Sequence, residues 1–250
     1  MPDEQSGNPI VPFEWAIKDV AQPTLKQIGL DLKDGYIGLK KIISNAVTKS
    51  DNNGVANNRV MIEALRSGSF VDSDIGVEYF GGILASTKSV DGKDDSSIYY
   101  LDIIKSMSSR QLYLHYAIYR SLNKFLISDN SKENLNVALN TELNTIKFYI
   151  SSVELTSIGL KLDIDLEALY RKGLLHEYKY DTHIIDQVRG LPYIMITPTT
   201  LGIQLFCIAN NMLSDWRNYP KKDFFDFKDI ELPKFIGLSV EDLLKQHGVI

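Results

Sequence analysis

The stretch from Leu166 to Ala209 constrains the fold of this 250-residue chain more than any other. A short amphipathic helix beginning near Asp165 is expected to end at Gly173, because glycine readily takes the left-handed conformation that ends helices. Residues 174–197 then predict two antiparallel strands joined by a polar loop. A further helix is expected to begin near Pro198–Thr200, with Pro198 in its first turn, where the missing N–H of proline needs no partner.

This order of elements is typical of a winged-helix module. We therefore predict a mainly α (α+β) chain, with an N-terminal helical domain over 1–149 and a winged-helix-like module with one small β-hairpin over 150–218. A C-terminal tail with a short helix, capped by Ser239, completes the chain over 219–250. With 44% hydrophobic residues, the chain is long enough for one large core or two small ones.

The N-terminal part carries a helical seam with two interpretations. Apolar or small residues recur at alternating spacings of three and four, at Leu25, Ile28, Leu32, Gly35, Leu39, Ile42 and Ala46. The seam can pack inside its own domain, for instance on the helix around Ile83, or against a second copy of the chain. Asp72 or Ser73 is expected to cap that second helix. Its Gly81-Gly82 pair suits a close crossing by another backbone. A further amphipathic helix is predicted over 131–147.

Charge and cysteine content exclude several classes of function. A formal net charge of −5 argues against a general nucleic-acid binder, which needs basic residues to displace counterions. The only cysteine, Cys207, rules out an internal disulfide and any multi-cysteine zinc site. The polar, acidic N-terminus is unlike a signal peptide, and no apolar run reaches the roughly 18 residues of a membrane span. A cytoplasmic location is expected.

Two groups of residues are weak candidates for catalytic chemistry. Asp91, Asp94 and Asp95, with Glu78 on the preceding helix, can in principle hold Mg²⁺ or Ca²⁺. Their spacing lacks the closing glutamate of a calcium loop, so capping of the next helix is favoured. His115 lies one turn from Gln111 and from Tyr119 on an apolar helix. We interpret it as a buried structural histidine, in an internal polar network or at the edge of a pocket. With no catalytic motif, we expect no enzyme activity, no cofactor and no metal.

The winged-helix-like module also argues against tight DNA binding. Between 151 and 219 there are six Lys/Arg against eight Asp/Glu, a net of −2. The presumed recognition helix begins with Asp163, Asp165 and Glu167, which repel phosphates. Residues Arg171, Lys172 and Arg189 are the candidate contacts to DNA or to a partner. A protein partner or homo-oligomerisation is the favoured interpretation, with no membrane span.

Aromatic residues accumulate in the tail, at Tyr219, Phe224, Phe225, Phe227 and Phe235. They form either a docking strip for a partner or, as we favour, a segment folded over the domain with its aromatics buried.

Three passages together resemble the abortive-infection alpha family of bacterial cytoplasmic proteins: Gly68–Ser86, Ser108–Tyr119, and the Gly173, Thr197 and Gly202 positions of the last module. The resemblance covers about residues 55–210. This chain departs from the family's leucine-threonine before the last helix and reads Ile196-Thr197-Pro198 instead. The resemblance implies a non-catalytic interaction or sensor protein with a part in phage defence. The alternative is a DNA-associated transcriptional regulator using the winged helix.

Overall fold

The computed structural model describes residues 32–50, 55–69, 71–89, 91–129 and 134–250. They form a mixed α+β protein with two antiparallel sheets, one of two strands and one of four. The described residues divide into two compact units, those up to 106 with 208–211 and those from 107 to 207 with 212–250. This division groups residues 107–149 and the tail with the hairpin, whereas the sequence analysis separates them.

Helices dominate the first unit. Its elements are, in chain order, α1 (Leu32–Lys49), β1 (Val55–Ala56), α2 (Asn58–Gly68), α3 (Asp74–Ser86), β2 (Lys88–Ser89) and α4 (Ser97–Lys105). The two short strands pair antiparallel. Of the two caps predicted for α3, the structure uses Ser73, whose hydroxyl accepts the N–H of Gly76 at 3.3 Å. This bond satisfies one of the free donors in the first turn.

The core of the first unit lies between α1 and α3. Leu39, Ile42 and Ala46 of the predicted seam are buried, as are most residues of α3 including Ile83. These seam residues therefore pack inside the chain, as the first of the two interpretations predicts. The seam positions Leu25 and Ile28 lie outside the described residues.

A close backbone approach explains why α3 contains Gly82. A Cβ atom at this position would collide with the backbone carbonyl of Ala209, and only glycine avoids the clash. Glycine inside a helix lowers its stability by about 1 kcal/mol relative to alanine. The crossing chain predicted from the Gly81-Gly82 pair is thus confirmed at Gly82.

The second unit begins with a long helix and contains the larger sheet. Its elements are α5 (Ser109–Ser128), α6 (Asn140–Leu143), β3 (Phe148–Ser151), α7 (Ser152–Ser157), α8 (Leu162–Arg171), β4 (Leu175–Ile184), β5 (Gly190–Pro198), α9 (Thr200–Ala209, of which 208 and 209 belong to the first unit), a 3₁₀ helix (Leu213–Asn218), β6 (Ile236–Gly237) and α10 (Val240–Gln246). Ser239 caps α10 as predicted, in a capping box with Asp242. Helix α9 begins at Thr200, within the predicted range, whereas Pro198, predicted in its first turn, instead ends β5.

The four-stranded sheet is larger than the single small hairpin predicted. Its strand order is β4-β5-β3-β6, and all neighbours are antiparallel. The predicted strands are present as β4 and β5. The added strands β3 and β6 are short and lie far from the hairpin in sequence, so their pairing depends on the tertiary fold rather than on a local pattern.

The amphipathic helix predicted over 131–147 is wrong for most of its described length. Only α6, four residues long, is helical between 134 and 147. The side-chain oxygen of Asn136 accepts a hydrogen bond from the backbone N–H of Ala138 at 3.1 Å. The backbone N–H of Asn136 donates to the Glu142 carboxylate at 2.8 Å. Asparagine side chains that bond to the nearby backbone compete with helix formation, which explains the break.

The aromatic tail packs on the second unit. Tyr219, Phe224 and Phe227 are buried, which confirms the favoured interpretation for these three, whereas Phe225 is exposed. The guanidinium of Arg120 on α5 donates to the carboxylates of Asp223 at 2.9 Å and Asp226 at 2.7 Å. Charge and aromatic burial together hold the segment against α5.

Candidate functional site

Helix α8 has one buried and one exposed face. Leu166 and Leu169 are fully buried, whereas Asp163, Ile164, Tyr170 and Arg171 are exposed. The helix ends as predicted at Gly173, which has a φ of +70°. The N–H of Leu174 donates to the Leu169 carbonyl, and the N–H of Gly173 donates to the Tyr170 carbonyl. This pair of bonds is a Schellman motif, which directs the chain from α8 into β4.

Asp165 holds α8 on α5. Its carboxylate is buried and accepts the Arg110 guanidinium at 3.0 Å and the N–H of Lys161 at 2.9 Å. The sequence analysis placed Asp165 among the carboxylates that face a ligand, and this placement is wrong. The other two carboxylates of the set, those of Asp163 and Glu167, remain at the surface of the helix.

Arg171 is engaged by a carboxylate of its own helix. Its Nε donates to Glu167 Oε1 at 2.7 Å, and the hydroxyl of Tyr178 donates to Glu167 Oε2 at 2.8 Å. The hydrogen bond from Arg171 holds the pKa of Glu167 below its usual range. Lys172 follows as the C-terminal cap of α8. The charge of Arg171 is thus balanced locally.

Arg189 lies in the loop at the other end of the hairpin. Its Nε donates to Asp186 Oδ2 at 2.7 Å, and Asp186 Oδ1 accepts the N–H groups of Val188 and Arg189. Ten residues of β4 separate this loop from Gly173, about 30 Å at 3.3 Å per residue. Arg189 is therefore distant from Arg171 and Lys172, and the three do not form one basic ridge.

One tyrosine of α8 and two of β4 form a cluster that the sequence did not predict. The ring centroids of Tyr170 and Tyr178 are 6.0 Å apart, and those of Tyr178 and Tyr180 are also 6.0 Å apart, both in edge-to-face arrangements. The two-residue spacing of Tyr178 and Tyr180 in a predicted strand was the available signal, because it places both on one face. We call Ile164, Glu167 and these three tyrosines the α8 surface.

The hairpin tip exposes aliphatic side chains. Ile184 at the end of β4 is exposed, and Val188 in the loop is 93% exposed. A tip that inserts into DNA carries basic residues, and here Arg189 is paired with Asp186 and follows the exposed Val188. The tip is suited to apolar contact.

His115 is buried, as predicted. Its Nε2 lies 3.1 Å from the Gly202 carbonyl, and its ring lies 4.7 Å from that of Tyr119. Burial lowers its pKa to about 3, so the imidazole is neutral and Nε2–H donates to the carbonyl. The Tyr119 hydroxyl donates to the Leu174 carbonyl and accepts the N–H of Thr199. Gln111 instead forms a capping box with Ser108.

The aspartate loop uses its carboxylates locally. Asp91 accepts the N–H of Lys93, Asp94 accepts the N–H of Ser96, and Asp95 pairs with Arg59 at 3.4 Å. Glu78 pairs with Lys49 instead of joining them. Across the described ranges, no three His, Cys, Asp or Glu side chains are grouped so as to hold a metal ion.

Neither the single cysteine nor the cavity beside α10 in the second unit has a reactive group that is free to act. Burial raises the pKa of the Cys207 thiol, which disfavours the reactive thiolate. A cavity of about 480 Å³ is lined by Phe125, Asp129, Leu238, Asp242, Lys245 and Gln246. Asp242 and Gln246 are both used in hydrogen bonds that hold α10 and β6.

Comparisons with protein-family models, with curated proteins and with solved structures find no match to this chain. The resemblance to the abortive-infection alpha family stays a prediction. Within the part of the chain that the structure describes, no helix is long and apolar enough to cross a membrane.

Proposed function

We propose that residues 109–198 form a winged-helix module in which α8 is the recognition helix and residues 185–189 are the tip of the wing. The support is the order of the elements, α5, the four-residue α6, β3, α7, α8, β4 and β5. The pairing of β3 with β5, which gives the strand order β4-β5-β3, also suits this fold. The fold by itself does not specify a ligand.

The function we propose for this module is protein binding, within a non-catalytic cytoplasmic interaction or sensor protein. The observation that carries the proposal is the pairing of Arg171 with Glu167, beside aromatic rings that are exposed or partly exposed. A DNA-reading helix presents cations to phosphates. In α8 the charge of Arg171 is balanced by Glu167, and the exposed Asp163 of the same helix adds a further negative charge.

The α8 surface suits a partner segment that carries both basic and apolar side chains. Glu167 and Asp163 can accept bonds from lysine or arginine, and tyrosine rings attract cations and apolar groups. Tyrosines are also frequent among the residues that dominate protein interfaces.

The test is site-specific photo-crosslinking in the native host cell. A photoreactive residue at Ile164 should capture one defined protein, and the Glu167→Lys substitution should abolish this adduct. The matched control is Glu231→Lys, an exposed charge reversal in the tail, which should leave the adduct unchanged. Two results would contradict the proposal. One is equal capture of the same protein by a photoreactive residue at the exposed position Leu139, and the other is an adduct that Glu167→Lys leaves unchanged.

The second candidate is a DNA-associated regulator, favoured by the same order of elements. Its test is an anisotropy titration with duplex DNA at physiological salt. We expect no saturable binding below about micromolar concentration, the range of weak non-specific association. Submicromolar, sequence-selective binding that Arg171→Ala with Lys172→Ala abolishes would favour the regulator instead.

The resemblance to the abortive-infection alpha family extends the proposal to phage defence. Cells that express the chain should form fewer plaques on infection than cells without it. Glu167→Lys should restore plaque formation, whereas Glu231→Lys should not. Plaque counts that are equal with and without the chain would remove phage defence from the proposal and leave protein binding to the crosslinking test.

A further inference from the structure

Strand β4 presents a long open edge. It is ten residues long, lies at the end of the four-stranded sheet and pairs with β5 on one side. No strand of the described residues pairs with its other side. Nearly all of its side chains are exposed. Natural proteins usually shorten or cover such edges, because unpaired backbone groups recruit further strands.

The backbone groups that face this edge can be identified. In an antiparallel pair, residues alternate between positions that exchange hydrogen bonds with the partner strand and positions whose N–H and C=O point away. Pro192 has no N–H and lies opposite Thr182, so the N–H and C=O of Thr182 point away from β5. The N–H of Thr182 donates to the Asp181 carboxylate at 2.8 Å instead. By alternation, the backbone groups of Tyr178, Tyr180 and Thr182 face the open edge.

We propose that a second copy of this chain pairs with this edge, with the two β4 strands antiparallel and Tyr180 opposite Tyr180. This register centres the pairing on a residue whose N–H and C=O both face outward. It places Lys179 opposite Asp181 of the second copy, and Glu177 opposite His183. Each pair occurs twice because the interface is two-fold. Opposite charges placed across two strands stabilise their pairing.

The neighbouring registers bring like charges together. Centring on Lys179 would place the two lysines opposite each other and Glu177 opposite Asp181. Centring on Asp181 would place two aspartates opposite each other. Like charges in these positions destabilise a strand pair. Centring on Tyr178 or Thr182 shortens the overlap, so the Tyr180 register combines the longest overlap with complementary charges.

Charged side chains on an edge strand also serve to prevent pairing. A protective set repels its own copy, whereas Lys179 and Asp181 are placed so that they attract it. The two-fold axis is perpendicular to the sheet, so the two sheets join into one. Both copies then present their α8 surfaces on the same side, which would let one dimer hold two partner segments.

Sedimentation analysis with a charge swap tests the dimer. The parent chain should be a dimer at high micromolar concentration. Lys179→Asp should raise its dissociation constant about 10- to 100-fold, because two attractive pairs become repulsive. Adding Asp181→Lys to Lys179→Asp restores complementarity and should restore the dimer. The matched control is Lys40→Asp, an exposed charge reversal on α1, which should leave the dimer intact.

Three results would overturn the proposal: a parent chain that is monomeric at high micromolar concentration, an undiminished dimer in Lys179→Asp, or a folded charge-swap variant that stays monomeric. Circular dichroism checks that each variant is folded.

Cysteine crosslinking tests the register independently. Opposed residues in this register have Cα atoms about 5.5 Å apart, within the range of a disulfide. Tyr180→Cys should therefore form a covalent dimer under mild oxidation. Thr182→Cys should not, because its counterpart lies several residues away. The natural Cys207 is buried and does not compete. Crosslinking of Thr182→Cys as fast as Tyr180→Cys would overturn the register.

Discussion

Lys49 in the first unit and Arg171 in the second each hold a glutamate at hydrogen-bond distance, in opposite environments. Lys49 Nζ lies 2.6 Å from Glu78 Oε2, with 15% and 9% of the two side chains exposed. Arg171 Nε lies 2.7 Å from Glu167 Oε1, and the Arg171 side chain is 77% exposed. Lys49 also donates to the backbone carbonyls of Glu78 and Ala209. The two distances are almost the same, but the surroundings differ.

The difference separates structural charges from charges that can exchange partners. A buried charge that loses its partner has no water to replace it, so the Lys49 pair is fixed within the fold. Water and salt screen the exposed Arg171 pair, so Glu167 can release Arg171 to a ligand at little expense in stability. Recognition is therefore expected at the α8 surface and not at the α1–α3 core.

The largest effect should follow from breaking the buried pair. Lys49→Met leaves the Glu78 carboxylate buried without a counter-charge, so the free energy of unfolding should fall by about 3–5 kcal/mol. Burial lowers the pKa of Lys49 and the charge of Glu78 offsets part of this, in keeping with a low-dielectric surrounding. Chemical denaturation monitored by circular dichroism gives the measurement.

The double variant Lys49→Met with Glu78→Leu sharpens this result. It removes both charges, so most of the lost stability should return. The control is Lys41→Met, because Lys41 forms an exposed pair with Asp74 at 3.3 Å. A loss below about 1 kcal/mol in Lys49→Met would mean that the pair is hydrated and behaves like an exposed one.

A smaller effect is expected at His115, through pH. Its pKa falls from 6.5 to about 3 in the folded chain because of burial. The unfolded chain binds the proton first, so this contribution to stability is complete above pH 6.5 and is lost as the pH falls toward 3. Between about pH 6.5 and 4.5, above the ordinary pKa values of carboxyl groups, the free energy of unfolding should fall by about 2 kcal/mol.

His115→Phe should remove this pH dependence and lower stability at neutral pH by about 1–3 kcal/mol, because the Gly202 carbonyl loses a donor. Denaturation curves at several pH values measure both effects. His176→Gln, at an exposed histidine, is the control and should keep the parent's profile. A variant as stable as the parent that loses its biological phenotype would assign His115 a functional role instead.

Features of the fold that depend on short-range chemistry could be predicted from the sequence. The end of α8 at Gly173, the caps at Ser73 and Ser239 and the β4–β5 hairpin each follow from a few adjacent residues. The close approach at Gly82 was also predictable, because paired glycines inside an apolar helix need a reason to be there.

Features that depend on distant residues were missed. Strand β3 pairs with β5 more than forty residues later and β6 joins from the tail, so no local pattern marks them. Asp165 looked exposed because its partner, Arg110, is 55 residues away. The candidate site was missed for the same reason. Tyr170 of α8 meets Tyr178 of β4, and the sequence shows only the two-residue spacing of the tyrosines within the strand.

The smallest effect concerns the exposed pair, and it appears in a pKa and not in stability. The hydrogen bond to Glu167 is the main reason that the pKa of Tyr178 is raised to about 12. Glu167→Ala should lower that pKa toward its ordinary value of about 10, since the phenolate no longer faces a carboxylate. The midpoint of chemical denaturation should stay unchanged, because the pair is solvated.

Carbon NMR of labelled tyrosine rings resolves this titration from those of the other tyrosines. The matched control is Glu177→Ala, which removes an exposed carboxylate from the opposite face of β4 and should leave the Tyr178 titration as it is. If Glu167→Ala leaves the pKa near 12, the Tyr178–Glu167 bond does not persist in solution. The α8 surface would then lack the held carboxylate that distinguishes it from a DNA-reading helix. The contrast between the buried Lys49–Glu78 pair and the exposed Arg171–Glu167 pair would no longer support a binding role for α8.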